Sequence, residues 1–208
     1  MKGTKTVTVL VMVEAGSKYE AKNINGVSHF LEHMFFKGTK KRPNTLALTE
    51  PLDSIGGEFN AFTSKEYTGY WAKAGAKYRK LILDIISDMF LNSKFDPRNS
   101  RGRKQMNYEE INMYQDTPMK YIADLFELLL YGDQPAGWLT IGTKEIVGNV
   151  KRKDLVNYLN GLYVARNSIV VVAGDIEGKK EVLQETKKYF DKIRKENVKT
   201  KKKKVAER

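Results

Sequence analysis

The chain has 208 residues, 41% of them apolar, which suits one substantial α/β core and leaves no obvious room for two. It contains no cysteine, which excludes a disulfide framework, thiolate metal ligands and a cysteine nucleophile together, so a metal site must draw on His, Asp or Glu. The formal charge of +12 would suit a nucleic acid or an acidic lipid only if it were gathered on one face. Much of it instead collects near the C-terminus, and basic and stacking aromatic residues do not alternate along any strand, so no nucleic-acid partner is expected.

In chain order, Thr6 to Val13 alternates Val7, Val9, Val11 and Val13 with Thr6, Thr8, Leu10 and Met12, and β-branched residues at that period predict a strand. The basic start before it superficially resembles a signal peptide, but the strand pattern points to a cytoplasmic protein. Glu14 to Ile24 is polar and loop-like. Asn25-Gly26-Val27-Ser28 then offers capping residues for a helix that ends near Gly38. Thr45 to Ile55 has helical spacing, with Pro51 expected to kink or break it. Glu58 to Thr63 and Glu66 to Lys73 read as a hairpin around Ser64-Lys65.

Three apolar-periodic helices follow at Tyr78 to Leu91, Arg98 to Tyr114 and Pro118 to Tyr131. A short helix at Lys153 to Leu162, a buried strand at Ser168 to Val172 and a charged amphipathic helix at Lys179 to Ile193 complete the pattern. This order predicts an α+β fold with a mixed, mostly antiparallel sheet layered against helices. Residues 1–193 form the expected single domain, with 194–208 as a basic, flexible tail. No run approaches the length of a transmembrane helix, so no membrane partner is expected.

The chemistry concentrates in Ser28-His29-Phe30-Leu31-Glu32-His33-Met34, where the only two histidines of the chain stand four residues apart. On a helix, positions i and i+4 share a face, so both imidazoles can reach one ion, and Glu32 lies beside them. Zn²⁺ takes imidazole nitrogen readily, and a carboxylate next to metal-bound water can accept its proton. Catalytic zinc generally has three protein ligands, and here the third must be a carboxylate. The richest candidate stretch is Tyr108-Glu109-Glu110-Ile111-Asn112, where two acids sit in one predicted helix, about 100° apart around its axis.

With these residues in place, the sequence resembles the zinc metallopeptidases that include pitrilysin, insulin-degrading enzyme and the mitochondrial processing peptidase. They share the inverted H-x-x-E-H motif and a glutamate ligand about 77 residues further on. The flanks Phe36-Lys37-Gly38-Thr39, Gly56-Gly57-Glu58-Phe59-Asn60-Ala61-Phe62-Thr63-Ser64, Tyr131-Gly132-Asp133 and Ile141-Gly142-Thr143 are similar as well. The resemblance runs from about Val7 to Tyr189 and resembles the bacterial and processing-peptidase branch. It implies that His29, His33 and Glu110 bind one Zn²⁺ per chain, that Glu32 is the catalytic base, and that Asn60, Ala61 and Phe62 lie on an edge strand that pairs with extended substrate. The alternative reading is that Phe59 and Phe62 are core residues and Asn60 only satisfies a turn.

The pattern departs from the family in three places. Family members of this type are usually about twice as long, with a second half that supplies an Arg and Tyr pair, so the expected partner is a second copy or a complementary half-subunit, in a homodimer or heterodimer. The family's usual first strand does not precede Val7. Arg103 replaces a glutamate seven residues before the third ligand, two helical turns away on the same face as Glu110.

The expected function is therefore a zinc endopeptidase acting on peptides or unfolded segments. The competing one is a weakly active or non-catalytic zinc-binding partner subunit. Cationic character favours neutral or acidic peptides as substrates. The S-ribosylhomocysteine lyases, which share an H-x-x-E-H element, are set aside because their chemistry needs a cysteine.

Overall fold

The computed structural model describes residues 3–200 together with 202, 204 and 205, with the side chains of 97–104, 106 and 120 excepted. Strand β1, Thr6–Val13, buries its four valines and leaves the intervening residues half-buried, as a period of two requires. It forms the centre of a four-stranded sheet in the order β2-β3-β1-β4, with β2 at Glu58–Thr63, β3 at Thr68–Gly75 and β4 at Ser168–Gly174. All three pairings are antiparallel, with Val9 opposite Ala72 on one side and Val172 on the other. The α+β class stands as expected, with helices layered against this sheet.

The helices are α1 (Val27–Phe35), α2 (Thr45–Asp53), α3 (Arg79–Asn92), α4 (Pro97–Gln115), α5 (Pro118–Tyr131), α6 (Lys144–Asn149), α7 (Arg152–Leu162) and α8 (Lys179–Phe190). α3 lays Ile82, Leu83, Ile85, Ile86 and Met89 into the core formed with the β1 valines. Phe35, the last residue of α1, is wholly buried and packs against Tyr70, Phe90, Phe95 and Tyr163, with ring centroids 4.7 to 6.1 Å apart. The Tyr70 and Tyr163 hydroxyls meet within this cluster at 3.1 Å, so the buried phenols are satisfied by each other.

Three local expectations need correction. Pro51 does not end α2, which runs on to Asp53; a proline in the last turn of so short a helix removes a single bond, and Asn44 holds the other end by accepting from Ala47 N–H at 2.8 Å. The β2–β3 connection spans Ser64 to Tyr67 rather than two residues, with Ser64 N–H donating to Tyr67 O at 2.8 Å. Glu14 to Ile24, read as loop, contains two 3₁₀ turns, Ser17–Tyr19 and Lys22–Ile24.

After α8 the chain stays against the body: Ala165 N–H donates to Arg194 O, Lys199 N–H donates to Gly161 O, and Val198 packs on the core. No helix among the described residues is long and apolar enough to cross a membrane.

Candidate metal centre

Helix α1 brings His29 and His33 onto one face, with ring centroids 4.5 Å apart and planes at 81°. Helix α4 supplies Glu110, whose Oε1 lies 3.5 Å from His29 Nε2 and whose Oε2 lies 3.1 Å from His33 Nε2. One ligand atom from each of the three falls within 4.8 Å of the others, and among the described residues no other His, Cys, Asp or Glu group of three does so. A tetrahedral ion with bonds of about 2.1 Å separates its ligands by roughly 3.4 Å, and each histidine Nε2 stands at about that distance from one oxygen of Glu110, His29 from Oε1 and His33 from Oε2. Two imidazoles and a carboxylate are a donor set that zinc takes in catalytic sites. The residues therefore fit the ion.

Burial alone would push the Glu110 carboxyl up, but hydrogen bonds and charge from His29 and His33 outweigh it and hold the group well below the usual carboxylate range. Its neighbour Glu109 is exposed, accepts from Gln105 at 3.3 Å and takes no part. Of the two acids, it is Glu110 that α4 turns toward α1.

Glu32, on the same helix, is only 8% exposed, and the Thr63 hydroxyl at the end of β2 donates to its Oε2. Sequence reasoning missed Thr63, because nothing in the order of residues links a strand end to a helix far upstream. A cavity of about 260 Å³ opens beside Glu32 and His33, lined by Phe36, Thr45, Thr49, Phe59 and Asn60. A larger one, about 510 Å³, lies between α3 and α8 among Lys41, Asp84, Asp88 and Glu185, remote from the metal set.

Of the strand residues expected in the cleft, Asn60 lines the smaller cavity, while its own Oδ1 accepts from Ala61 N–H at 2.8 Å. Ala61 packs against the core, and the Phe62 ring covers Gly69 and meets Tyr67 edge-on. β2 is an edge strand, paired on one side by β3. Arg103 falls in α4, but its side chain lies outside the described residues. Burial, and then the charges of Glu110, Asp124 and Glu32, push up the phenol of Tyr114, one turn beyond Glu110 on α4.

Comparison with known proteins agrees with the geometry. The family described as Insulinase (Peptidase family M16) matches residues 1–144. An uncharacterized zinc protease of Bacillus subtilis, YmxG, is 38% identical over 186 residues, covering 89% of this chain and 45% of its own length. A protease from Helicobacter pylori superposes with a TM-score of 0.88 at 25% identity, over 95% of this chain and 48% of its own. The Escherichia coli periplasmic protease PqqL has the same fold, with a TM-score of 0.82 at 24% identity over 98% of this chain and 22% of its own. The chain thus spans less than half the length of each. The periplasmic relative by structure overturns the cytoplasmic expectation: an N-terminal strand pattern carries no information on compartment, and this fold works outside the cytoplasm.

Proposed function

The chain belongs to the insulinase family of peptidases, and on that footing we propose that it is the metal-bearing half of a zinc-dependent endopeptidase that cleaves peptides or unfolded polypeptide segments. The observation that carries this reading is the convergence of His29, His33 and Glu110 from two helices, with Glu32 on the helix of the histidines. His29 and His33 through Nε2, and Glu110 through its carboxylate, would hold one Zn²⁺. When bound, that ion supplies a Lewis acid, which lowers the pKa of its water toward neutrality and polarises the scissile carbonyl.

The Thr63 hydroxyl donates to Glu32 Oε2 and holds the carboxylate in place, with acceptor capacity left for the proton transfer. The Glu32 carboxylate accepts a proton from the attacking water and delivers it to the leaving amine nitrogen. The open edge of β2 offers main-chain groups to an extended peptide, which binds with little regard to sequence, while the cavity walled by Phe36 and Phe59 accepts one side chain next to Glu32. Its relatives are about twice as long, and on this reading a second half closes over the substrate, whether it belongs to the same polypeptide, another copy or a complementary chain.

The test is cleavage of a quenched fluorescent peptide by the purified chain, with Glu32→Gln as control and zinc content measured on the same samples. Loss of turnover by at least about a thousandfold in the variant, with zinc retained, is the expected result, since base catalysis and water activation are removed together. Equal turnover by the variant would remove Glu32 from the chemistry. Zinc bound without turnover in the unaltered chain would point to a missing second half or to a metal-binding partner subunit, and turnover restored by adding a complementary half would decide for the former.

A further inference from the structure

Helix α1 has no cap of its own. The residue before it, Gly26, carries no side chain and sits at φ 91°, a left-handed conformation that favours glycine. Its first turn would leave backbone N–H groups unsatisfied inside the protein, a costly arrangement. Glu20, six residues earlier and 1% exposed, fills the gap. Its Oε2 accepts from Gly26 N–H at 2.7 Å and from Asn25 Nδ2 at 2.9 Å; its Oε1 accepts from Ser28 N–H at 2.8 Å and from Ser28 Oγ at 2.5 Å.

All four groups that hydrogen-bond to this carboxyl group donate to it, so it serves as the acceptor at the positive end of the helix. Burial raises the Glu20 carboxyl above its ordinary value, and these hydrogen bonds offset part of that rise. A second segment braces the same point. Asn25 Nδ2 also donates to Leu139 O at 3.1 Å, and Gly26 and Gly142 meet backbone to backbone, so closely that a Cβ on Gly26 would lie 2.6 Å from Ile141 O.

We propose that Glu20 is a positioning residue for the metal centre, fixing the first turn of α1 so that His29 stays in register with His33 and Glu110. The inference rests on the reading of these three as the zinc ligands. His29 follows Ser28 directly, and both donors of Ser28 are tied to the same carboxylate oxygen. Loosening the first turn moves His29 relative to His33, which lies one turn further along, and the two imidazoles then no longer face one ion. Glu20 touches neither ligand and acts only through the helix end it holds.

The test compares Glu20→Gln with the unaltered chain, using zinc affinity by competition with a chromophoric chelator, the visible absorption of the cobalt-loaded protein, and thermal unfolding of both. Gln keeps the size but turns one acceptor into a donor facing donors. A ten- to hundredfold weaker zinc affinity with an altered cobalt spectrum, in a protein whose circular dichroism is unchanged, is expected. Ser28→Ala, which removes one of the four donors, should shift affinity in the same direction by less, and it carries the test if Glu20→Gln does not fold.

Unchanged zinc affinity and cobalt spectrum, with only a lower melting temperature, would overturn the proposal and leave Glu20 a purely structural cap. Failure of the unaltered chain to bind zinc at all would overturn both this proposal and the reading of the ligands.

Discussion

Helices α1 and α5 are both rich in apolar residues, yet the protein treats them in opposite ways. In α1, Phe30, Leu31, Met34 and Phe35 are at most 1% exposed, and seven of nine residues are buried. In α5, Met119 is 87% exposed, Leu129 74% and Ile122 66%, with Leu125, Phe126, Leu128 and Leu130 also in solvent. The difference lies in the neighbours: α1 is enclosed by α4, α7 and β2 and clamped at its start, whereas α5 has α4 as its main companion among the helices. A helix that is apolar nearly all round is normally an interior one, so apolar content alone does not decide burial; the presence of something to pack against does.

The largest expected effect lies in α1. Phe35→Ala empties the centre of the aromatic cluster and should cost about 3–5 kcal/mol of stability by urea unfolding; a loss under about 1 kcal/mol would mean that the two helices are not so different as their exposure implies. Smaller is the effect of loosening Glu32 from β2. Thr63→Val keeps shape but removes the donor, and should lower kcat about tenfold, equivalent to about 1.4 kcal/mol, with KM little changed. Thr63→Ser should restore most of it, and an unaltered kcat in the valine variant would detach the hydroxyl from the chemistry. The smallest belongs to α5: Leu129→Glu should move the stability of the isolated chain by no more than about 0.5 kcal/mol. A large destabilisation there would show that α5 is covered in solution by something that the folded chain supplies to itself or to another copy.

The same contrast explains what could be read in the sequence. β1 was visible because its valines alternate, and α1 because its histidines, glutamate and apolar residues share one helical period. The choice of Glu110 came from a family spacing; the geometry of α4 supplies the reason for it, since Glu109 turns to solvent. Nothing in the local pattern separates α5 from a core helix, because exposure is a property of the surroundings and not of the segment. α6, with six residues, is too short for a period to emerge, although Thr143 caps it by accepting from Ile146 N–H at 3.3 Å. Glu20 and Thr63 escaped notice because each acts across space on another element, and a single sequence records only neighbours along the chain.

The strand order has a consequence for how the protein is made. β1 lies in the middle of the sheet, with β4 hydrogen-bonded along one side of it from Val7 to Val13, yet the two are encoded near opposite ends of this chain. β1 therefore waits, with one flank open, until the residues up to β4 have been translated. Closing so distant a pair carries a loop-closure cost before any contact repays it, which slows folding and lengthens the time that apolar surface is exposed. Yield of soluble protein should then depend on synthesis rate and on holdase chaperones more than on the final stability of the fold.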